Sequence, residues 1–384
     1  MRFSTKIVGI AALLAMAGCS TISKYNPFSS KENKHPPAEL HEFKQTMAIK
    51  QAWSASVGSA DIYVFAPAQG GDFIYAAGAD GTLVKLEATS GRSVWRINAG
   101  MPLTAGVGAN ADTIAVVGQK GFVMAFDNNG KQRWKVQASS EVLSTPAVGQ
   151  GLVIVRSVDN KISAYDAETG TRKWIVDRPL PALTLRTVPG IAITDQLAVV
   201  ALPGGRMAAM SINNGGLRWE TAVGDPKGAT ELERVADVSG TPFIAGREVC
   251  AVSYQGRVGC FDLVSGVVRW TKNFSSEVGV SVDERFVFAA DDQGAVSAFS
   301  RGAGASEWKN DKLSHRRLSA PISFGRSVAV ADSFGYVHFL SREDGSFIGR
   351  ISTDGSQIVS APLVAGADLI VQTKSGAVVA LAAE

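Results

Sequence analysis

The 384-residue sequence predicts an all-β chain: an eight-bladed β-propeller of four-stranded antiparallel blades, with the ring closed by the N-terminal strand. Three observations lead there. First, a short pattern recurs, clearest in Ala164-Tyr165-Asp166-Ala167-Glu168-Thr169-Gly170-Thr171-Arg172-Lys173-Trp174. Second, its tryptophans stand at Trp95, Trp134, Trp174, Trp219, Trp270 and Trp308, separated by 39, 40, 45, 51 and 38 residues. A period near 40 marks a repeat array and overrides the two or three domains that length alone suggests. Third, each period holds short runs of β-branched and aromatic residues between Gly, Asp and Asn turns, the pattern of antiparallel strands.

One module shows the elements in order. Leu152-Val153-Ile154-Val155 is an apolar run, Val158-Asp159-Asn160 a turn and Ile162-Ser163-Ala164-Tyr165 a second run. Asp166 to Gly170 forms the next turn, and Lys173-Trp174-Ile175-Val176 a third run. A shorter strand around Ser144-Thr145-Pro146-Ala147-Val148 precedes them and makes the fourth, which completes a propeller blade. In the turn, Asp166 is suited to accept backbone amides, and Gly170 takes a positive φ without steric cost. The skeleton returns as Phe126-Asp127 to Trp134 and Phe261-Asp262 to Trp270, and more loosely around Trp95, Trp219 and Trp308. In all six copies a glycine stands four residues before the tryptophan. A seventh copy, Leu340-Ser341 with Gly345, carries Gly349 in the tryptophan position. An eighth module runs from Ala361-Pro362-Leu363 to Val378-Val379-Ala380-Leu381 and stops one strand short. Trp53, the remaining tryptophan, lies 42 residues before Trp95 and supplies the missing strand. Trp53, Trp95, Trp134, Trp174, Trp219, Trp270 and Trp308 therefore read as structural residues packing blade on blade.

The ring is expected to span residues 49–384. Residues 1–18 read as a signal peptide: Arg2 and Lys6 precede an 11-residue apolar stretch from Ile7 to Ala17, too short to span a bilayer comfortably. Ala15-Met16-Ala17-Gly18-Cys19 resembles a bacterial lipobox, with Met16 where leucine is usual. Cys19 is the expected lipidation site, since several acyl chains anchor a protein stably. By the same resemblance, Ser20 in place of aspartate permits sorting to the outer membrane. Residues 19–48, with Pro27, Pro36, Pro37 and many charges, read as a lipidated flexible tether, and His35 and His41 as solvated polar residues within it.

The formal charge of +3, without a lysine or arginine block, gives no nucleic-acid footprint. Cys250 and Cys260 flank the turn Tyr254-Gln255-Gly256. Two readings stand for them: a disulfide across the hairpin in an exported protein, or small core residues, since Ala125, Ala164 and Ala298 fill the slot of Cys260 elsewhere.

Two connections are enlarged. Trp134 to Pro146 is 12 residues and Trp308 to Pro321 is 13, but Trp174 to Pro189 is 15 and Trp219 to Pro242 is 23. Both fall on the face that carries blade-to-blade connections, where insertions often mark a binding surface. The first, 178–186, mixes Leu180, Leu183 and Leu185 with Arg178 and Arg186; the second, 224–240, carries Glu231, Glu233, Arg234 and Asp237. Aliphatic side chains beside charges suit a protein interface. The alternative is that Leu183 and Leu185 fold back onto the ring.

The repeat resembles that of pyrroloquinoline-quinone dehydrogenases. With the lipobox, the eight modules and Pro181-Ala182-Leu183-Thr184-Leu185-Arg186, the chain is more similar to the BamB family, lipoprotein subunits of the outer-membrane β-barrel assembly (BAM) complex. That resemblance implies a non-catalytic scaffold without cofactor or metal, held at the periplasmic face of the outer membrane. It implies docking on the POTRA domains of BamA through Leu183, Leu185 and Arg186, with unfolded outer-membrane proteins as further partners. The family's Asp-Val-Asp stretch reads here as Asp237-Val238-Ser239, so Asp237 is left to orient the loop. Two other functions would leave different marks in the sequence. A quinoprotein dehydrogenase would need calcium ligands, an aspartate base and commonly adjacent cysteines; the cysteines here are not adjacent, and Asp127, Asp166 and Asp262 sit in repeat turns. A glycan-binding propeller would need exposed aromatics beyond the repeating tryptophans.

Overall fold

Eight separate four-stranded antiparallel sheets make up the structure, a computed structural model that describes residues 35–185 and 189–383. The signal peptide, Cys19 and Arg186 lie outside the described residues. Blades 1 to 7 take consecutive quartets of strands, spanning 68–98, 108–137, 147–177, 191–222, 238–274, 280–310 and 322–352. Blade 8 combines Leu363–Ala365, Asp368–Gln372 and Ala377–Ala383 with Ile49–Ser56 from the other end of the chain. Ile49 pairs with Ala383 and Ser56 with Ala377, so the first strand closes the ring. The expected eight-bladed propeller is the fold observed.

Burial explains why the middle strands read as unbroken apolar runs. Each blade is covered on both faces by its neighbours, so all six residues of Thr113–Gly118 and the first four of Leu152–Arg156 are buried. The fourth strand lies at the rim, and in Arg172–Asp177 only Trp174 is buried. First strands surround the axis and, with the connections beside them, line a channel of about 810 Å³ that includes Pro146, Ile191, Phe243 and Ile322.

The repeated turn does two jobs. Asp166 Oδ1 accepts from the amides of Glu168 (3.1 Å) and Thr169 (2.9 Å), which fixes the turn. Gly170 adopts φ +72°, and a methyl placed on it would lie 2.7 Å from Cγ of Trp134, so the indole of the preceding blade rests directly on the glycine. Each indole Nε1 then donates to a carbonyl of that next turn. Trp53 bonds Ala88, Trp95 Asn128, Trp134 Ala167 and Trp174 Ile212, at 2.9–3.0 Å. Trp219 bonds Leu263, Trp270 Arg301 and Trp308 Arg342, at 2.7–2.9 Å. Seven of the eight blade interfaces are stapled this way.

The interface between blades 7 and 8 is different, and it explains Gly349. Blade 8 has no turn between its third and fourth strands, because the fourth comes from residues 49–56. An indole on blade 7 would find no turn carbonyl to bond. The incoming chain occupies its place: a methyl on Gly349 would sit 3.1 Å from Cγ1 of Ile49 and 3.2 Å from the Met47 carbonyl. Met47, only 4% exposed, packs into the core shared by Phe339, Val379 and Leu381.

Two sequence readings are changed or decided here. The flexible tether was expected to reach residue 48, but residues 37–48 lie along blade 7. Thr46 and Met47 donate to the Ile348 carbonyl at 2.9 and 3.0 Å, and Ala38 donates to Ser314 at 2.8 Å. Arg316, Arg350 and Arg326 donate in return to the carbonyls of Ala38, His41 and Thr46 at 2.9, 2.7 and 2.6 Å. Phe43 stacks on Phe347 with ring centroids 5.4 Å apart. Cys250 and Cys260 face each other in register and form a disulfide, while both remain buried core residues. Closing a loop of 10 residues contributes roughly 2–3 kcal/mol on the chain-entropy model.

A candidate partner-docking loop on the connection face

The connection after blade 3 leaves strand Arg172–Asp177 and reaches strand Ile191–Ile193 of blade 4. It cannot pair as a strand, because Pro179 and Pro181 lack amide protons. It lies on the surface with Leu180 at 50% and Leu183 at 43% exposure, and Leu185 half-buried. Leu183 therefore does not fold back onto the ring.

Asp237 belongs to the next long connection and comes up beneath this loop. Its side chain is only 5% exposed. Oδ2 accepts the Leu185 amide at 2.7 Å and Oδ1 accepts the Gly204 amide at 2.9 Å. Burial pushes the carboxyl above its usual range, while those two amides and the Arg156 guanidinium pull it back. Asp237 thus meets the loop backbone and is hidden from any partner. Ser239 points elsewhere: its hydroxyl donates to the Ser276 carbonyl at 2.8 Å and is buried. A carboxylate could not make that donation.

Within the second loop, Glu231, Glu233 and Arg234 bond one another or the loop backbone. Glu233 Oε2 accepts the amides of Ala229 (2.8 Å) and Thr230 (3.0 Å), while its own amide donates to Thr230 Oγ1 (3.3 Å) in a reciprocal cap. Arg234 pairs with Glu231 at 3.6 Å and donates to the Gly228 carbonyl at 3.1 Å. The large apolar side chain this loop shows to solvent is Leu232, at 73% exposure. Leu232 was missed in the sequence because a lone leucine among charges carries no pattern. Leu180, an aliphatic residue of the first loop outside the expected contact set, is as exposed as Leu183.

Below the loop lies a pocket of about 160 Å³, lined by Glu141, Arg156, Leu180, Thr184, Leu185 and Asp237. Small-molecule sites are usually several hundred cubic ångströms, so this one suits a single side chain at most. Among the described residues, no group of three or more His, Cys, Asp or Glu could hold a metal ion. The arrangement offers chemistry for docking: exposed leucines on a backbone fixed from below.

The sequence profile described as outer membrane protein assembly factor BamB matches residues 79–310 and again 296–384. The chain belongs to the BamB family. The outer membrane protein assembly factor BamB of Bordetella pertussis is 44% identical over 97% of this chain and 95% of its own length. The crystal structure of BamB from Moraxella catarrhalis superposes with a TM-score of 0.79 at 26% identity, covering 87% of this chain and all of that one. The quinohemoprotein alcohol dehydrogenase of Comamonas testosteroni, at 14% identity and a TM-score of 0.68, covers 87% of this chain and 76% of its own. That likeness is one of fold alone. The BamB profile covers both enlarged loops and the ring from residue 79 onward.

Proposed function

We propose that this chain is a non-catalytic scaffold of the outer-membrane protein assembly complex. It is anchored by lipid at Cys19 to the periplasmic face of the outer membrane and docks on the POTRA domains of BamA. Leu183, Leu185 and Arg186 make the contact, and the scaffold holds the POTRA domains in an orientation that favours insertion of β-barrel clients. The observation that carries this reading is the exposed leucine loop fixed by the buried Asp237 carboxylate on a ring of the BamB family. A fixed loop loses little conformational entropy on binding, so its apolar contacts appear largely as affinity.

The test is titration of the soluble ring, residues 37–384, with purified POTRA domains. Leu183→Ala and Leu185→Ala should each weaken binding by about 1–2 kcal/mol, roughly 5- to 30-fold, and Arg186→Glu by more. Each variant is checked for unchanged thermal unfolding. Undiminished binding of all three would move the interface elsewhere. A folded wild type that fails to bind would end the reading.

A further inference from the structure

The leucine loop is fixed at both ends by buried residues, one in blade 3 and one in the next long connection. Its far end is held by Asp237 through the Leu185 amide. Its near end is held by Asn160, in the turn between the second and third strands of blade 3. Asn160 is 1% exposed and adopts φ +61°, a backbone state that asparagine tolerates better than most residues. Its Nδ2 donates to the Pro179 carbonyl at 2.8 Å. Its Oδ1 accepts from Arg156 Nη1 at 3.1 Å. Arg156 also lines the pocket that Asp237 lines, under Leu180 and Leu185, with Glu141 the other charged residue there.

The residue types fit these jobs closely. Pro179 offers a carbonyl acceptor and no amide donor, so a side-chain donor suits it. Arg156 offers only donors, so its partner must accept. Asparagine is a short side chain with one group of each kind, and an aspartate there would set a second acceptor against the carbonyl. Arg156 keeps its charge even when buried, so it is a fixed positive charge across the pocket from Asp237.

We infer that Arg156 and Asn160 are positioning residues for the docking loop. Asn160 pins its near end, while Arg156 orients the Asn160 amide and balances the Asp237 carboxylate that pins its far end. Leu183 is then presented on a span clamped at Pro179 and Leu185. The inference deepens the docking reading and rests on it for its functional consequence, but the clamp itself can be measured without a partner.

The experiment combines hydrogen exchange at the Leu185 amide in the free ring with affinity for POTRA domains. Asn160→Asp and Arg156→Met, each checked for wild-type thermal unfolding, should speed Leu185 exchange at least about tenfold and weaken binding about tenfold. Arg156→Lys keeps the charge without the planar fork, so it should recover part of both losses and serves if the methionine variant does not fold. In a Leu183→Ala background, Asn160→Asp should cost much less affinity than it does alone, because it acts through the loop. Unchanged Leu185 exchange in the folded variants overturns the inference, even if affinity falls. Faster exchange in a ring that does not bind POTRA domains leaves the clamp standing and removes the docking reading.

Discussion

Asp262 Oδ1 accepts the amides of Val264 and Ser265 at 3.1 and 2.9 Å and the Ser265 hydroxyl at 2.8 Å. Those bonds, made to the charged form, pull its carboxyl down to about 2 from an ordinary 3.8, and Asp166 is held at about 2 by Lys173 and the turn amides. A folded-state pKa below the unfolded one means stability that is present above about pH 4 and is lost as pH falls through 2. We expect acid unfolding to steepen across that window. Asp262→Asn should be less stable at pH 7 and should show a shallower loss between pH 4 and 2, read by urea midpoints at each pH. Equal slopes for the two proteins would refute the linkage. The roles of Asp166 and Gly170 were legible because they act within five residues of each other. Those of Asn160 and Arg156 were not, because their targets are a carbonyl 19 residues further on and a carboxylate in the next long connection.

At the level of elements, the segment 37–48 carries the clearest lesson. Its prolines and charges read as a solvated tether, yet it lies along the rim of blade 7. What holds it is backbone: Arg316, Arg326 and Arg350 donate to its carbonyls. Backbone acceptors leave no mark in a sequence, and the donors lie 278, 280 and 309 residues away. Arg316 is itself held at 2.7 Å by the buried Asp332. We expect a chain starting at residue 47 to be less stable than one starting at 37 by about 2 kcal/mol, from three charged hydrogen bonds and the Phe43–Phe347 stack. Urea unfolding of the two chains measures it, and identical midpoints would show that the segment adds nothing. The strands themselves were easier to read. Two-sided burial makes the inner ones continuous apolar runs, and the turns announce themselves through Asp and Gly.

Across the whole molecule, the ring is a cycle of eight interfaces with seven tryptophan staples and one seam. The sequence revealed the gap, as Gly349, but not its filler, because Met47 is far from blade 7 along the chain and has no repeat partner. We expect Met47→Ala to destabilise the ring by about 2–4 kcal/mol, on the scale of a large core truncation. Exchange should also become fastest in strands Phe347–Ser352 and Ala377–Ala383. A loss below 1 kcal/mol would show that the seam does not depend on this side chain.

The same seam governs when the molecule can exist at all. Ile49–Ser56 pairs with Ala377–Ala383, so blade 8 is complete only when two strands distant in sequence meet. No shorter ring is available in the meantime, since seven blades alone leave an arc with two raw edges. Folding of the ring therefore ends with a lock. Until Ala377–Ala383 is in place, Trp53 and the edge of its strand have no partner in blade 8. A truncated product is thus an open, adhesive arc, a ready target for quality control.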